Sequence, residues 1–333
     1  MFVNPAIIGL ISCSILVTLA TVYASIQGVI IAQSWDIESG SEKQLRLERR
    51  TYLVSTLVSY VMVCELFSLF LYVTTADHIH SFFTGAMCAA GTLYASRFGY
   101  LTLVVRMTTF ILSSVWLIIN YVDNRGYDYP LIRFKYYLLV PVTLIIVMES
   151  VLQFIYLSGL DPEIITSCCG ALFSKDSPTI AGELVHLPAF GIKITYYTVL
   201  FFTLGTGLYF IWKEKLAVLY SLLSTGLFIL SLAAMISFIS LYFYELPTHH
   251  CPFCLLQKEY HYIGYLMYLA LFGGVIAGIS LGLLHFFRKR TSLRQFIPFM
   301  QKKLCCASMF GFLAFAIIST YQIIFSPFIL EGY

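Results

Sequence analysis

The sequence predicts an all-α fold, a polytopic transmembrane bundle of about eight spans with both termini outside. Three observations carry this expectation. Hydrophobic residues make up 59% of the 333 and charged residues 11%, against about a quarter charged in a soluble domain. With a mean hydropathy of +0.84, the chain has more apolar surface than one water-soluble core can hide. Apolar runs long enough to cross a bilayer, about 20 residues each, recur from end to end. Lys and Arg gather in alternate connections between those runs. The chain is therefore expected to be a single integral membrane domain, residues 1–333, in contact with membrane lipid. The net charge of +3 marks no partner, and no basic, aromatic-interleaved patch points to nucleic acid.

The spans are placed at 6–32, 52–75, 99–122, 134–159, 189–212, 216–244, 259–286 and 304–328. The first is expected to stay as a membrane helix. MFVNP carries no basic residue, and the run that follows is too long for a signal-peptide core. The first connection holds Lys43, Arg46, Arg49 and Arg50, the second only Arg97. The third holds Arg125 and Arg133 with Lys135 just beyond, and the fourth only Lys175. The short fifth holds Lys213 and Lys215, the sixth only Lys258, and the seventh six basic residues from Arg288 to Lys303. Odd connections are basic and even ones are not, so the odd ones are expected in the cytoplasm and the even ones outside a cytoplasmic (inner) membrane. The seventh, FFRKRTSLRQFIPFMQKK, is read as a topology anchor at the cytoplasmic interface.

Cysteine falls unevenly on this frame. Of nine cysteines, Cys13, Cys64, Cys305 and Cys306 lie in spans and read as small buried hydrophobes. The other five lie in or beside the three outer connections: Cys88 in GAMCAAG, Cys168 and Cys169 in TSCCGALF, Cys251 and Cys254 in HHCPFC. Outside is the compartment where disulfides persist. Five is odd, so at least one outer thiol is reduced, metal-bound or paired with a partner. The C-P-F-C is expected just before or at the first turn of the seventh span, where unpaired N–H groups and the helix dipole favour a thiolate.

Cys251, Cys254, Gln257 and Lys258 read C-x-x-C-x-x-Q-K at the outer start of an out-to-in helix. Over about 30 residues this resembles the DsbB family of disulfide-forming membrane proteins, where C-x-x-C precedes Gln-Arg. The vitamin K epoxide reductase family has a related C-x-x-C at a helix start. The resemblance implies that Cys251 and Cys254 pass electrons to a membrane quinone. It also implies that a second outer cysteine pair exchanges with a soluble thioredoxin-like protein outside the membrane. Cys168 and Cys169, with Cys88, are the candidates here. Lys258 stands where the family has its basic quinone-side residue, and Lys is a point charge without the planar fork of Arg. Those families are built on four helices rather than eight, and their second pair is not usually vicinal. The order Cys88, Cys168-Cys169-Gly170, Cys251-x-x-Cys254 also resembles the iron–sulfur CCG module of heterodisulfide reductases, with longer intervals.

Glu65, Arg106 and Glu149 lie inside spans, at about 10–15 Å below the outer surface by helical rise. Charges at that depth pair or face a cavity. They are expected either to form one Glu–Arg pair or to line a quinone pocket or proton path. His78 and His80, spaced for one side of an extended segment, join His249 and His250 as candidate ligands for Cu(I) or Zn beside the thiolates. Three functions remain open on the sequence. The first is a quinone-linked thiol–disulfide oxidoreductase using Cys251, Cys254, Cys168, Cys169 and Cys88, with Gln257, Lys258, Glu65, Arg106 and Glu149 toward the cofactor. The second is a soft-metal handling or transport protein. The third is a non-catalytic subunit whose cysteines staple loops.

Overall fold

The computed structural model describes residues 4–37, 39, 41–161, 166, 189–328 and 330. Among these residues the chain is helical, and eight helical segments are long and apolar enough to cross a membrane. In lipid every backbone N–H and C=O must be satisfied within the segment, which is why these apolar runs become helices. The protein is an integral membrane protein. In order the helices are α1 (Pro5–Ser34), α2 (Glu42–His78), α3 (Ala89–Tyr94), α4 (Gly99–Asp123) and α5 (Ile132–Ser158), followed by α6 (Ala189–Lys213), α7 (Ala217–Ala234), α8 (Ser240–Tyr244), α9 (Ile263–His285) and α10 (Phe296–Phe325). A π-helical turn, Met235–Ile239, joins α7 to α8 into one span.

Two helices start well before the sequence expectation. α2 begins at Glu42 rather than 52, and α10 at Phe296 rather than 304. Lys43, Arg46, Arg49 and Arg50 therefore ride on the first turns of α2, and Lys302 and Lys303 on those of α10. Hydropathy locates only the apolar part of a helix, whereas the backbone keeps its hydrogen bonds beyond the bilayer edge. Glu42 and Arg46, one turn apart, pair there, as helical neighbours of opposite charge do.

The chain divides into two compact units: Met1–Thr75, Ser96–Asp161 and Phe286–Pro298 in the first, Ala76–Ala95, Pro162–His285 and Phe299–Tyr333 in the second. In the first, Asn4 caps α1 by accepting a hydrogen bond from the Ala6 N–H at 3.0 Å, with Pro5 at the first helical position. The core of this unit gathers Val17, Ala24 and Ile31 of α1, Val58 and Met62 of α2, Trp116 of α4, and Tyr136, Leu139 and Ile146 of α5. α1 reaches α5 because Gly28 leaves room for the Tyr136 ring; a Cβ there would lie 2.6 Å from it.

In the second unit α9 packs on α7 through small residues. A Cβ at Gly278 or Gly282 would lie 2.5 or 2.4 Å from the Cβ of Ser224 or Ser221. Helices in lipid gain no hydrophobic drive from association, so close backbone approach supplies the contact energy instead. Of the four span cysteines expected to be buried, Cys305 is, its Sγ 3.5 Å from the Gly207 carbonyl oxygen, whereas Cys13 is half-buried and Cys64 and Cys306 are exposed, because they lie on helix faces that no neighbouring helix covers among the described residues.

One turn before Cys88, Gly85 has φ +90°, and a Cβ there would meet the Thr166 carbonyl oxygen at 2.2 Å. Thr166 in turn donates its N–H to the Thr84 carbonyl at 2.9 Å. The Gly85→Ala variant is expected to lose about 1–3 kcal/mol, the range for one strained backbone position. Thermal unfolding in detergent measures it, and an unchanged midpoint would show that this loop contact contributes nothing.

Candidate functional site

The predicted site residues fall into two groups, one in each unit. In the second unit, Cys88, Cys251 and Cys254 come together: their three Sγ atoms all lie within 4.8 Å of one another, and all three residues are buried. Cys88 Sγ is 3.5 Å from Cys251 Sγ, across 163 positions of sequence. His249 Nε2 lies 3.4 Å from Cys254 Sγ.

The C-P-F-C does not open the seventh span, contrary to the sequence expectation. Cys254–Leu256 and Lys258–Tyr260 are short 3₁₀ turns, and α9 starts only at Ile263. His261 and Tyr262 have φ of 53° and 56°, left-handed values that stop helical propagation between the turns and α9. The field of a helix terminus fades within a turn, so the α9 terminus does not act on these thiols. Side chains and burial shape them instead.

Two tyrosines hold the turn by its backbone. Tyr244 of α8 donates its hydroxyl to the Cys251 carbonyl at 2.6 Å, and Tyr268 of α9 to the Pro252 carbonyl at 3.1 Å. His250 Nδ1 donates to the Ile236 carbonyl, 2.8 Å away, in the π-helical turn. Such turns recur at functional sites because they redirect a carbonyl out of the helical ladder. The Cys88 segment is joined to the C-P-F-C segment by one carboxylate. Asp77 Oδ1 accepts from the Ala89 N–H at 3.1 Å and from Gln257 Nε2 at 3.2 Å, and Gln257 Nε2 also donates to the Met87 carbonyl at 3.0 Å. Gln257, expected toward a cofactor, is thus engaged in positioning Cys88.

Lys258 is exposed and lines a cleft of about 430 Å³ with Asp77, His80, Met87, Gln257, Glu259 and Tyr262. His78 and His80 do not form one side of an extended segment: His78 ends α2 and His80 sits in the 3₁₀ turn Ile79–Phe82, its Nδ1 against the Asp77 carbonyl. The helix takes in the polar Asp77-His78 pair because its backbone bonds outlast the apolar stretch. Cys168 and Cys169 lie outside the described residues.

His249 packs edge-on against the Tyr244 ring, 4.5 Å between centroids. Burial holds its pKa below the usual imidazole value, opposed by the nearby Cys88. The folded protein therefore binds its proton less readily than the unfolded chain, so stability rises with pH across the window just below the ordinary value of about 6.5 and is lost on acidification through it. His249→Gln is expected to flatten this part of the stability–pH curve, measured by thermal melting from pH 5 to 8. A slope identical in variant and parent would assign it to other groups.

In the first unit, Arg106, Glu149 and Glu65 are buried together, at 1%, 2% and 3% exposure. Arg106 Nη2 pairs with Glu149 Oε1 at 2.9 Å. Its Nη1 donates to the Ser68 carbonyl and hydroxyl, both at 2.6 Å, and Nη2 also donates to Gln153 Oε1. Thr109 donates its hydroxyl to Glu149 Oε2. The guanidinium stacks over the Tyr72 ring at 4.9 Å. A second ion pair, Lys135 with Asp123 at 2.7 Å, is also buried completely. Asn120 Oδ1 accepts from Lys135 Nζ at 3.1 Å and from the Ser55 hydroxyl at 2.6 Å. Sequence reasoning counted Lys135 only as a basic residue just beyond the third connection and missed Asp123. An edge position does not reveal whether a side chain turns inward, and a Lys 12 residues after an Asp was the only available signal.

No family model, no curated protein and no solved structure matches the chain.

Proposed function

We propose that the protein is a membrane thiol–disulfide oxidoreductase working on the extracytoplasmic side of the cytoplasmic membrane, with Cys88, Cys251 and Cys254 as its redox groups. The observation that supports this most is the trio of buried sulfurs within 4.8 Å. Three thiols at that spacing let a disulfide change partners without a long movement. In the proposed cycle the Cys251 and Cys254 thiols lose two electrons and two protons as their S–S bond forms. A Cys88 thiolate then attacks Cys251 sulfur, the Cys251–Cys254 bond breaks, and Cys254 leaves as thiolate. His249, its proton affinity lowered by burial and 3.4 Å from Cys254 Sγ, takes the Cys254 proton in the first step. Cys168 and Cys169 carry the exchange on to a thioredoxin-like partner. Thr166, two residues before Cys168, is hydrogen-bonded to Thr84, four residues before Cys88.

A quinone is the electron acceptor that the DsbB-like motif implies; when bound it takes up two electrons and two protons. The cleft beside Lys258 has the volume of a small-ligand site, but its lining of Asp77, His80, Gln257, Lys258 and Glu259 is mostly polar where a quinone site is mostly apolar, so the quinone rests on the motif resemblance alone. The basic residues of the odd connections support a topology with both termini and the cysteine connections outside.

The test is trapping with a soluble thioredoxin-like protein whose resolving cysteine has been removed. A mixed disulfide that maps to Cys168, Cys169 or Cys88 supports the proposal. Failure to trap any partner, together with a Cys251–Cys254 pair that ignores the redox state of the quinone pool, sinks it. A second function is favoured by His249, which adds an imidazole to the three sulfurs. A Cys₃His set suits Zn²⁺ or Cu(I), and stoichiometric metal in protein purified without chelators would select it.

A further inference from the structure

The two buried charge clusters of the first unit differ in their balance. Lys135 and Asp123 are one cation and one anion, and the pair is neutral as it stands. Glu65, Glu149 and Arg106 are two acids and one base, each at most 3% exposed. With both carboxyls ionised the cluster would carry an uncompensated negative charge in a region where a single charge is already costly. Glu65 accepts from the Ser68 hydroxyl at 3.4 Å, and that hydroxyl also accepts from Arg106 Nη1 at 2.6 Å.

The partners also divide the two acids. Glu149 has the ion pair with Arg106 and the Thr109 hydroxyl, whereas the Arg106 donors reach Glu149, Gln153 and Ser68 rather than Glu65. The Arg106 Nε is buried with no hydrogen-bond partner among the described residues. The titratable groups facing Glu65 are Arg106 of α4, Glu149 of α5 and Cys13 of α1.

We propose that the buried Glu65–Glu149–Arg106 cluster is a proton-binding site that holds one exchangeable proton, resident on Glu65, beside the Arg106–Glu149 ion pair. The site gives the membrane part of this protein a proton-coupled step of its own. It does not depend on the thiol chemistry of the second unit, so either proposal can fail while the other stands.

Infrared spectroscopy of the protein in lipid at pH 7 tests it. The expected result is a protonated-carboxyl C=O band that shifts in D₂O and, after selective ¹³C labelling of glutamate, shifts again. Glu65→Gln mimics the protonated acid, leaves Glu149 with Arg106, and should remove the band. Glu149→Gln leaves Glu65 alone with the guanidinium and should remove it too. A band that persists in both variants, the absence of any glutamate band in the parent, or a band that appears only when sodium is withdrawn would overturn the proposal. The last outcome would identify a metal cation in place of the proton. If neither variant folds, the labelled parent still decides, because a glutamate band that is missing, or that fails to exchange in D₂O, overturns the proposal.

Discussion

Arg106→Leu is expected to destabilise the protein by about 3–5 kcal/mol, the usual penalty for stripping one partner from a buried ion pair. The cost does not come from losing the attraction alone. Glu149, 2% exposed, would be left without its counter-ion, and Gln153 and the Ser68 carbonyl would lose their donor. The double variant Arg106→Leu with Glu149→Leu should be less damaged than the sum of the single changes, with a coupling of about 0.5–3 kcal/mol between residues in contact. Unfolding in mixed detergent micelles measures all four corners of the cycle. Strict additivity would mean that the pair does not hold α4 to α5. Glu65→Leu is expected to cost less than Arg106→Leu, because Glu65 is not among the direct partners of the guanidinium.

Cys251→Ser is expected to abolish thiol–disulfide turnover while leaving the protein folded. A disulfide across C-x-x-C closes so short a loop that chain entropy credits it with no more than about 2 kcal/mol. Cys88→Ser separates the roles more finely. The Cys251–Cys254 pair should still respond to the quinone pool, yet transfer to the soluble partner should fall to background, because the sulfur 3.5 Å from Cys251 is gone. Alkylation and mass shift after acid quench report the state of each cysteine. A Cys88→Ser protein that transfers at the parental rate would remove Cys88 from the pathway. Loss of bound zinc or copper in the same variant, with no redox change, would favour the metal-binding function instead.

The sequence alone determined the class of the protein and the number of its spans. Hydropathy is a local sum, and the bilayer converts it directly into helices by denying the backbone any other hydrogen-bond partner. It also exposed the C-x-x-C and the three intramembrane charges, since rare residue types stand out against an apolar background. Only the tertiary structure decided which of those residues meet. Cys88 joins Cys251 across 163 positions because α3 and the C-P-F-C turn are tied through Asp77 and Gln257. Nothing in the periodicity of either segment announces that tie. The choice of Glu149 over Glu65 as the Arg106 partner, and the inward turn of Lys135 onto Asp123, rest on helix rotation and crossing. Those are set by close contacts such as Gly28 against Tyr136. A residue's polarity says that it must be satisfied, while packing says by what.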